Sequence, residues 1–182
     1  PHVWHVREFL AGVSPAWRAY EWLMFLLSSR IVCNSRAVAA QFHPAIRRRK
    51  VAVIYNGIPT EEVSAPSASQ RAAFLERHGI ADGYPIAGVA GRINLDQKGQ
   101  DVFVRAAALL AERFPRAGFV IAGSPYPGNE AQEARLRRLI GELGLRDRIT
   151  FTGEVADLAC LYSALDICVL PARKPEGLGN VL

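Results

Sequence analysis

Short apolar runs alternate along the chain with longer stretches in which apolar residues recur every three or four positions, the signatures of buried strands and amphipathic helices. Strands are predicted over residues 2–6, 31–33, 51–55, 86–90, 118–122, 149–152 and 167–170. A first helix is predicted over 15–29, with Ser14 as N-cap and Pro15 at the first helical position, where a missing N–H costs nothing. A second starts at the cap Ser35 and ends before Pro44, and a third runs from 70 to about 78 and stops at Gly79. Three more cover 100–114, 129–143 and 155–164. In the 129–143 segment Leu136, Leu139, Ile140 and Leu143 share one face, with Arg135, Arg137, Arg138 and Glu142 mostly elsewhere. Continuous apolar strands separated by such helices imply an α/β fold of parallel sheets with helices on both faces.

The alternation is interrupted after the Asn56-Gly57 turn signal, where residues 60–69 are rich in Ser, Ala, Pro and Glu and show no sustained period. Three parts are therefore predicted: a first unit over 1–58, a linker over 59–69 and a second unit over 70–182.

Composition adds limits. With 50% hydrophobic and 21% charged residues the chain can bury a sizeable core, which excludes a globally disordered protein. A net charge of +5 favours an anionic partner without choosing among nucleotide diphosphate, acidic lipid and nucleic acid. Cys33, Cys160 and Cys168 have no metal-ligand spacing and read as small buried hydrophobes of a reducing, cytoplasmic compartment. Trp22-Leu-Met-Phe-Leu-Leu27 is the densest apolar run and is too short for a spanning helix of ~20 residues. The helix carrying Trp17, Tyr20, Trp22 and Phe25 reads as core, with a membrane anchor as the minority alternative. Arg47-Arg-Arg-Lys50 reads as a solvated turn, with contact to an anionic membrane surface as the alternative. It neither continues as a basic stripe nor interleaves with aromatics, so no nucleic-acid partner is expected.

Chemistry is concentrated in two loops. Arg92 and Lys98 stand six positions apart in Ala90-Gly-Arg-Ile-Asn-Leu-Asp-Gln-Lys-Gly99, between a predicted strand and helix. Such a loop falls at the carboxyl edge of a parallel sheet, where α/β proteins hold ligands. Two cations beside Gly91 suit a diphosphate, although an exposed loop that happens to carry two basic residues would look the same on spacing alone. The second loop is Glu176-Gly-Leu-Gly-Asn-Val-Leu182, whose glycines permit a tight turn with backbone N–H groups facing an anion. Glu176 beside it suits an uncharged hydroxyl-bearing group, or is a helix-end carboxylate.

Together these motifs resemble the retaining glycosyltransferases of family 4, which have the two-domain GT-B architecture of Rossmann-like sheets. The resemblance implies that Arg92 and Lys98 hold the donor diphosphate and that Glu176 is the first carboxylate of the Glu-x7-Glu signature, contacting the donor sugar. It further implies that Gly177, Leu178, Gly179, Asn180 and Val181 form the backbone turn beside the phosphates. Val155, in Phe151-Thr-Gly-Glu-Val155, would flank the nucleotide base, and His5, in Val3-Trp-His-Val-Arg-Glu8, would face the transferred sugar. The second signature glutamate would fall two positions past Leu182 and the family's N-terminal glycine-rich loop would precede Pro1, so a fragment inactive by itself is expected.

The implied activity is transfer of a sugar from a UDP- or GDP-sugar to a hydroxyl of a glycan or lipid-linked acceptor in polysaccharide or glycoconjugate biosynthesis, with no metal and no cofactor. It would take place in the cytoplasm or at the cytoplasmic membrane face. A glucan synthase, a nucleotide-sugar epimerase of the same architecture, or a non-catalytic nucleotide-binding module are the alternatives.

Overall fold

The computed structural model describes residues 1–10, 12, 15–57, 65–80 and 84–178. These form two units, residues 1–57 with 175–178 and residues 65–174. The chain returns to the first unit at Pro175, whereas the sequence reading kept 70–182 together.

In the first unit β1 (Val3–Val6), β2 (Arg30–Cys33) and β3 (Val51–Val53) make a parallel sheet in the order β1-β2-β3. Ile31 and Cys33 are completely buried, and against them pack α1 (Trp17–Leu27), α2 (Arg36–Ala40) and α3 (Pro44–Lys50) through Trp17, Met24, Val38 and Ile46. Ser35 caps α2 as predicted, its Oγ accepting from the Val38 N–H at 3.1 Å. The predicted cap Ser14 lies outside the described residues, and α1 begins after Ala16 without a side-chain cap. The strand expected to reach residue 55 ends at Val53, beyond which Ile54 and Tyr55 are exposed.

Two expectations for this unit are corrected. The basic run is the last turn of α3, with Pro44 at its start and Ile46 fully buried beneath it. Four cations at a helix C-terminus complement the macrodipole. Lys50 is committed further: its ammonium donates to the carbonyls of Phe25 and Ser28 at the end of α1 and lies over the Phe25 ring. The aromatic helix α1 is core on one stripe only, since Trp17 and Met24 are buried while Tyr20, Trp22, Leu26 and Leu27 are exposed. That stripe also carries Glu21, fully buried and accepting from Arg18 Nη1 at 2.8 Å and from the His43 N–H at 2.7 Å. Buried carboxylates require such partners, and this one ties α1 to the start of α3.

The second unit holds β4 (Ile86–Ala90), β5 (Gly118–Ala122), β6 (Ile149–Gly153) and β7 (Ile167–Cys168) in a parallel sheet ordered β6-β5-β4-β7. The period of two along β5 sorts its side chains between two cores. Phe119 and Ile121 join one with Leu136 and Ile140, and Val120 joins the other with Phe74 and Leu161. Helices α5 (Gln100–Arg113) and α6 (Glu130–Glu142) thus supply one face, and α4 (Ala68–Arg77) and α7 (Leu158–Ala164) the other. This is the doubly covered sheet that the apolar runs imply.

Burial decides the docking of α6: Leu136 and Ile140 are worth ~1.5–3 kcal/mol each. The surface pair Glu133–Arg137, at 2.7 Å, adds only ~0.3–0.5.

Helix α4 starts at Ala68 because Ser67 and Gln70 form a reciprocal capping box, two residues before the predicted start. Helix α7 starts at Leu158 rather than 155 because the Asp157 carboxylate accepts from the Cys160 N–H at 2.9 Å. Edge strand β7 stops at Cys168, with Ile167 and Leu170 exposed, so the predicted 167–170 strand is halved. Cys168 is also exposed, unlike Cys33 and Cys160. No helix among the described residues is long and apolar enough to cross a membrane.

Candidate functional site

Three adjacent parallel strands of the second unit each end in a glycine turn, and the turns are bonded to one another. Gly91 N–H donates to the Ala122 carbonyl at 2.9 Å, Ile93 N–H to Ser124 at 3.1 Å, and Gly123 N–H to Gly153 at 2.7 Å. Gly123 has φ +125°, and a Cβ there would stand 2.2 Å from the Gly91 oxygen, so only glycine lets the two loops approach this closely.

Above these turns, at the carboxyl edge of the sheet, opens a cavity of about 520 Å³. Its lining includes Gly91, Arg92, Gly123, Tyr126, Val155 and Leu158. That size lies within the ~300–1,000 Å³ of small-molecule sites.

The loop bearing the predicted cations is held by a residue that the sequence reading missed. Gln100, at the start of α5, is completely buried; its Nε2 donates to the Arg92 carbonyl at 2.8 Å and its Oε1 accepts from the Asn94 N–H at 3.3 Å. One amide thereby fixes both ends of the turn that presents Arg92. The Arg92 guanidinium carbon lies over the Tyr126 ring, 3.3 Å from its centroid. Lys98 is partly buried on the same loop, its backbone N–H donating to the Asn94 carbonyl at 2.7 Å.

Next to Lys98, Gly99 has φ +68°, and a Cβ there would meet the Pro171 carbonyl oxygen at 2.1 Å. The segment after β7 is fastened on both sides of Gly99: Arg173 N–H donates to the Gln97 carbonyl at 2.8 Å and its guanidinium pairs with Asp101 at 2.5 Å. Helix α5 therefore starts beside the basic loop with its N-terminal end, the end that favours anions.

Electrostatics reinforce the frame. The Cys160 N–H holds the Asp157 carboxyl below its ordinary value of 3.8, so the α7 cap contributes stability above that pH and loses it as the pH falls through the lowered value. The Gly128 N–H likewise lowers Glu130, at the start of α6. Burial pushes the Cys33 thiol up to about 11, which leaves it protonated and unreactive at neutral pH. Among the described residues no three His, Cys, Asp or Glu side chains gather as a metal-ligand set.

Of the predicted site residues, Gly91, Arg92 and Val155 line this cavity, and Lys98 sits on the Arg92 loop. His5 is exposed on β1, opposite Val32, in the first unit. Glu176, Gly177 and Leu178 belong to that unit too; Glu176 is exposed, and a Cβ at Gly177 would meet the Arg7 carbonyl oxygen at 2.2 Å. Gly179, Asn180 and Val181 lie outside the described residues. Gly123, Tyr126 and Gln100 were missed. Of these only Gly123 had a signal in the sequence, as a glycine that directly follows a predicted strand, the position Gly91 also holds.

Known proteins share the sequence pattern and the fold of this chain. The sequence pattern of the family described as glycosyl transferases group 1 matches residues 70–182, and that of glycosyltransferase family 4 matches residues 1–62. The lipopolysaccharide core biosynthesis mannosyltransferase LpsB of Rhizobium meliloti (strain 1021) is 34% identical over 127 residues, 70% of this chain and 35% of the relative. The alpha-D-kanosaminyltransferase of Streptomyces kanamyceticus is 38% identical over 120 residues, 65% of this chain and 29% of the relative. Anabaena Alr3699/HepE, solved in complex with UDP and glucose, superposes with a TM-score of 0.82 at 25% identity, covering 100% of this chain and 49% of that one. The chain thus spans about a third of the length of these curated relatives and half of the solved neighbour. With more than half of its length matched by the group 1 pattern and with GT-B enzymes as its structural neighbours, the chain belongs to the glycosyltransferases, group 1 and family 4, of GT-B fold.

Proposed function

We propose that this chain forms the donor side of a retaining glycosyltransferase that moves a sugar from a UDP- or GDP-sugar to a hydroxyl of a glycan or lipid-linked acceptor. The observation that carries the reading is the cavity at the carboxyl ends of β4, β5 and β6, where Arg92 stands beside three glycine turns locked to one another by backbone hydrogen bonds. The UDP and glucose bound to Alr3699/HepE, and the sugar transfer named for LpsB, support a nucleotide sugar as the ligand class.

As the bond from the anomeric carbon to the diphosphate oxygen breaks, negative charge grows on the departing diphosphate. Arg92, Lys98 and the N-terminal end of α5 stabilise it there. Val155 flanks the base, Glu176 and His5 orient the sugar, and the backbone of residues 177–181 adds donors to the phosphates. The acceptor oxygen forms the new bond to the anomeric carbon as its proton passes to the departing diphosphate, with the anomeric configuration kept. The reaction belongs to the cytoplasm or its membrane face, and transfer needs the protein at the length of its relatives, so residues 1–182 alone are inactive.

Fixed cations take the place of a divalent ion in this scheme. Transfer by the longer protein is therefore expected to persist in excess EDTA, measured as release of nucleoside diphosphate. Loss of activity that magnesium or manganese restores would overturn metal independence.

The assignment of Glu176 to the sugar has its own test. Glu176→Gln keeps the shape and gives up a charge-assisted hydrogen bond, which is roughly twice as strong as a neutral one. The affinity for free nucleoside diphosphate should stay the same while kcat/KM for the nucleotide sugar falls. Preserved turnover with a lowered melting temperature would make Glu176 a structural carboxylate instead.

A further inference from the structure

Backbone hydrogen bonds fix where Arg92 begins but leave its side chain free to turn. The Arg92 carbonyl is held by Gln100 at 2.8 Å, and its neighbours Gly91 and Ile93 are bonded to Ala122 and Ser124 at 2.9 and 3.1 Å. Beyond that point an exposed arginine has several rotatable bonds, and ordering it onto an anion carries an entropy cost. The Tyr126 ring supplies the missing constraint, because the guanidinium carbon lies over it at 3.3 Å from the centroid.

The platform is itself rigid. Pro125 and Pro127 fix the backbone on either side, the Tyr126 carbonyl accepts from the Asn129 N–H at 2.9 Å, and the Ser124 carbonyl is bonded to the Arg92 loop. Ring and guanidinium thus stand on two loops joined by their own backbones. The Tyr126 ring is half exposed and both partners line the cavity, so the stack sits where a ligand would enter rather than in the core.

We propose that Tyr126 is a positioning residue of the donor site: its ring holds the Arg92 guanidinium in the orientation that meets the diphosphate. The assignment rests on the reading of Arg92 as a diphosphate-binding cation. A planar guanidinium stacks on an aromatic face with its N–H edge outward, which leaves its donors free for phosphate oxygens. The ring face, rather than the hydroxyl, is the active part.

The test uses this chain with UDP and GDP as probes, titrated by NMR so that millimolar affinities are readable. Tyr126→Ala should weaken nucleotide binding by about two- to thirty-fold, the span between a solvated and a desolvated cation–π contact. Tyr126→Phe should restore wild-type affinity, and Tyr126→Leu should not. In an Arg92→Ala background Tyr126→Ala should cost nothing more.

Without any ligand, the Arg92 Nε–H resonance should carry a ring-current shift that Tyr126→Phe keeps and Tyr126→Leu abolishes. An equal loss from Tyr126→Ala with and without Arg92 would show that the ring contacts the nucleotide itself and would overturn the positioning role, as would a Phe variant as weak as Ala. If Arg92→Ala weakens binding while Tyr126→Ala does not, only the role of Tyr126 falls. If neither changes binding, or if the wild-type chain binds neither nucleotide at millimolar concentration, the diphosphate reading falls as well.

Discussion

Replacing Arg92 with alanine is expected to lower kcat/KM for the nucleotide sugar in the longer enzyme by ~10²–10³-fold while leaving the melting temperature of the protein nearly unchanged. The size follows from the ~2.7–4 kcal/mol typical for loss of one preorganised donor to a developing oxyanion. The indifference of stability follows from the surroundings: the side chain is exposed and lies on a half-exposed ring, so few buried contacts are given up. Arg92→Lys should fall between, since an ammonium keeps the charge but loses the planar fork and its stacking. Kinetics at saturating acceptor together with thermal melts check the prediction. Wild-type kcat/KM in the alanine variant would remove Arg92 from the chemistry, and a parallel loss of melting temperature would make it a structural residue.

A methyl group at Gly123 is expected to do damage of another kind, lowering both stability and nucleotide affinity. With φ at +125° any L side chain is strained there, by ~1–3 kcal/mol for a sparsely populated backbone region. The added Cβ would also stand 2.2 Å from the Gly91 oxygen and 2.7 Å from its carbonyl carbon, so one of the two loops must move. The loop that moves carries either Arg92 or Tyr126.

Gly128→Ala is the control, because Gly128 also has a positive φ, +86°, but a Cβ there meets nothing within 4 Å. Denaturant midpoints should fall clearly further for Gly123→Ala than for Gly128→Ala. Equal losses would mean that conformational strain accounts for the whole effect and that the contact with Gly91 is dispensable.

Much of this architecture was legible from local pattern. β4 and β5 are apolar without interruption because both of their faces are covered, and the second unit was predicted from that fact. Ser35 and Gly79 marked helix ends through chemistry confined to a few neighbouring residues. Reading failed where a distant partner determined the outcome. The Arg47-Arg-Arg-Lys50 run looked like a solvated turn because four cations mask one buried isoleucine, Ile46, and because Lys50 is matched to carbonyls of α1, more than twenty positions earlier. The outward face of α1 misled in the opposite direction, since Tyr20, Trp22 and Leu26 are apolar by composition and exposed in the fold.

At the candidate site the division is equally physical. Residue types and their spacing along one loop suffice to nominate Arg92 and Lys98, because two cations beside a strand-end glycine are a local arrangement. Tyr126 lies 34 positions from Arg92 and Gln100 acts through a buried amide, so neither has a signature in one dimension. The sequence by itself determined the α/β class, the family resemblance and the basic loop, all of which depend on short-range periodicity and motif. Only the tertiary structure decided which loops meet: parallel pairing of β4, β5 and β6 brings three strand ends to one edge, and the glycine contacts between them set how closely Arg92 and Tyr126 approach.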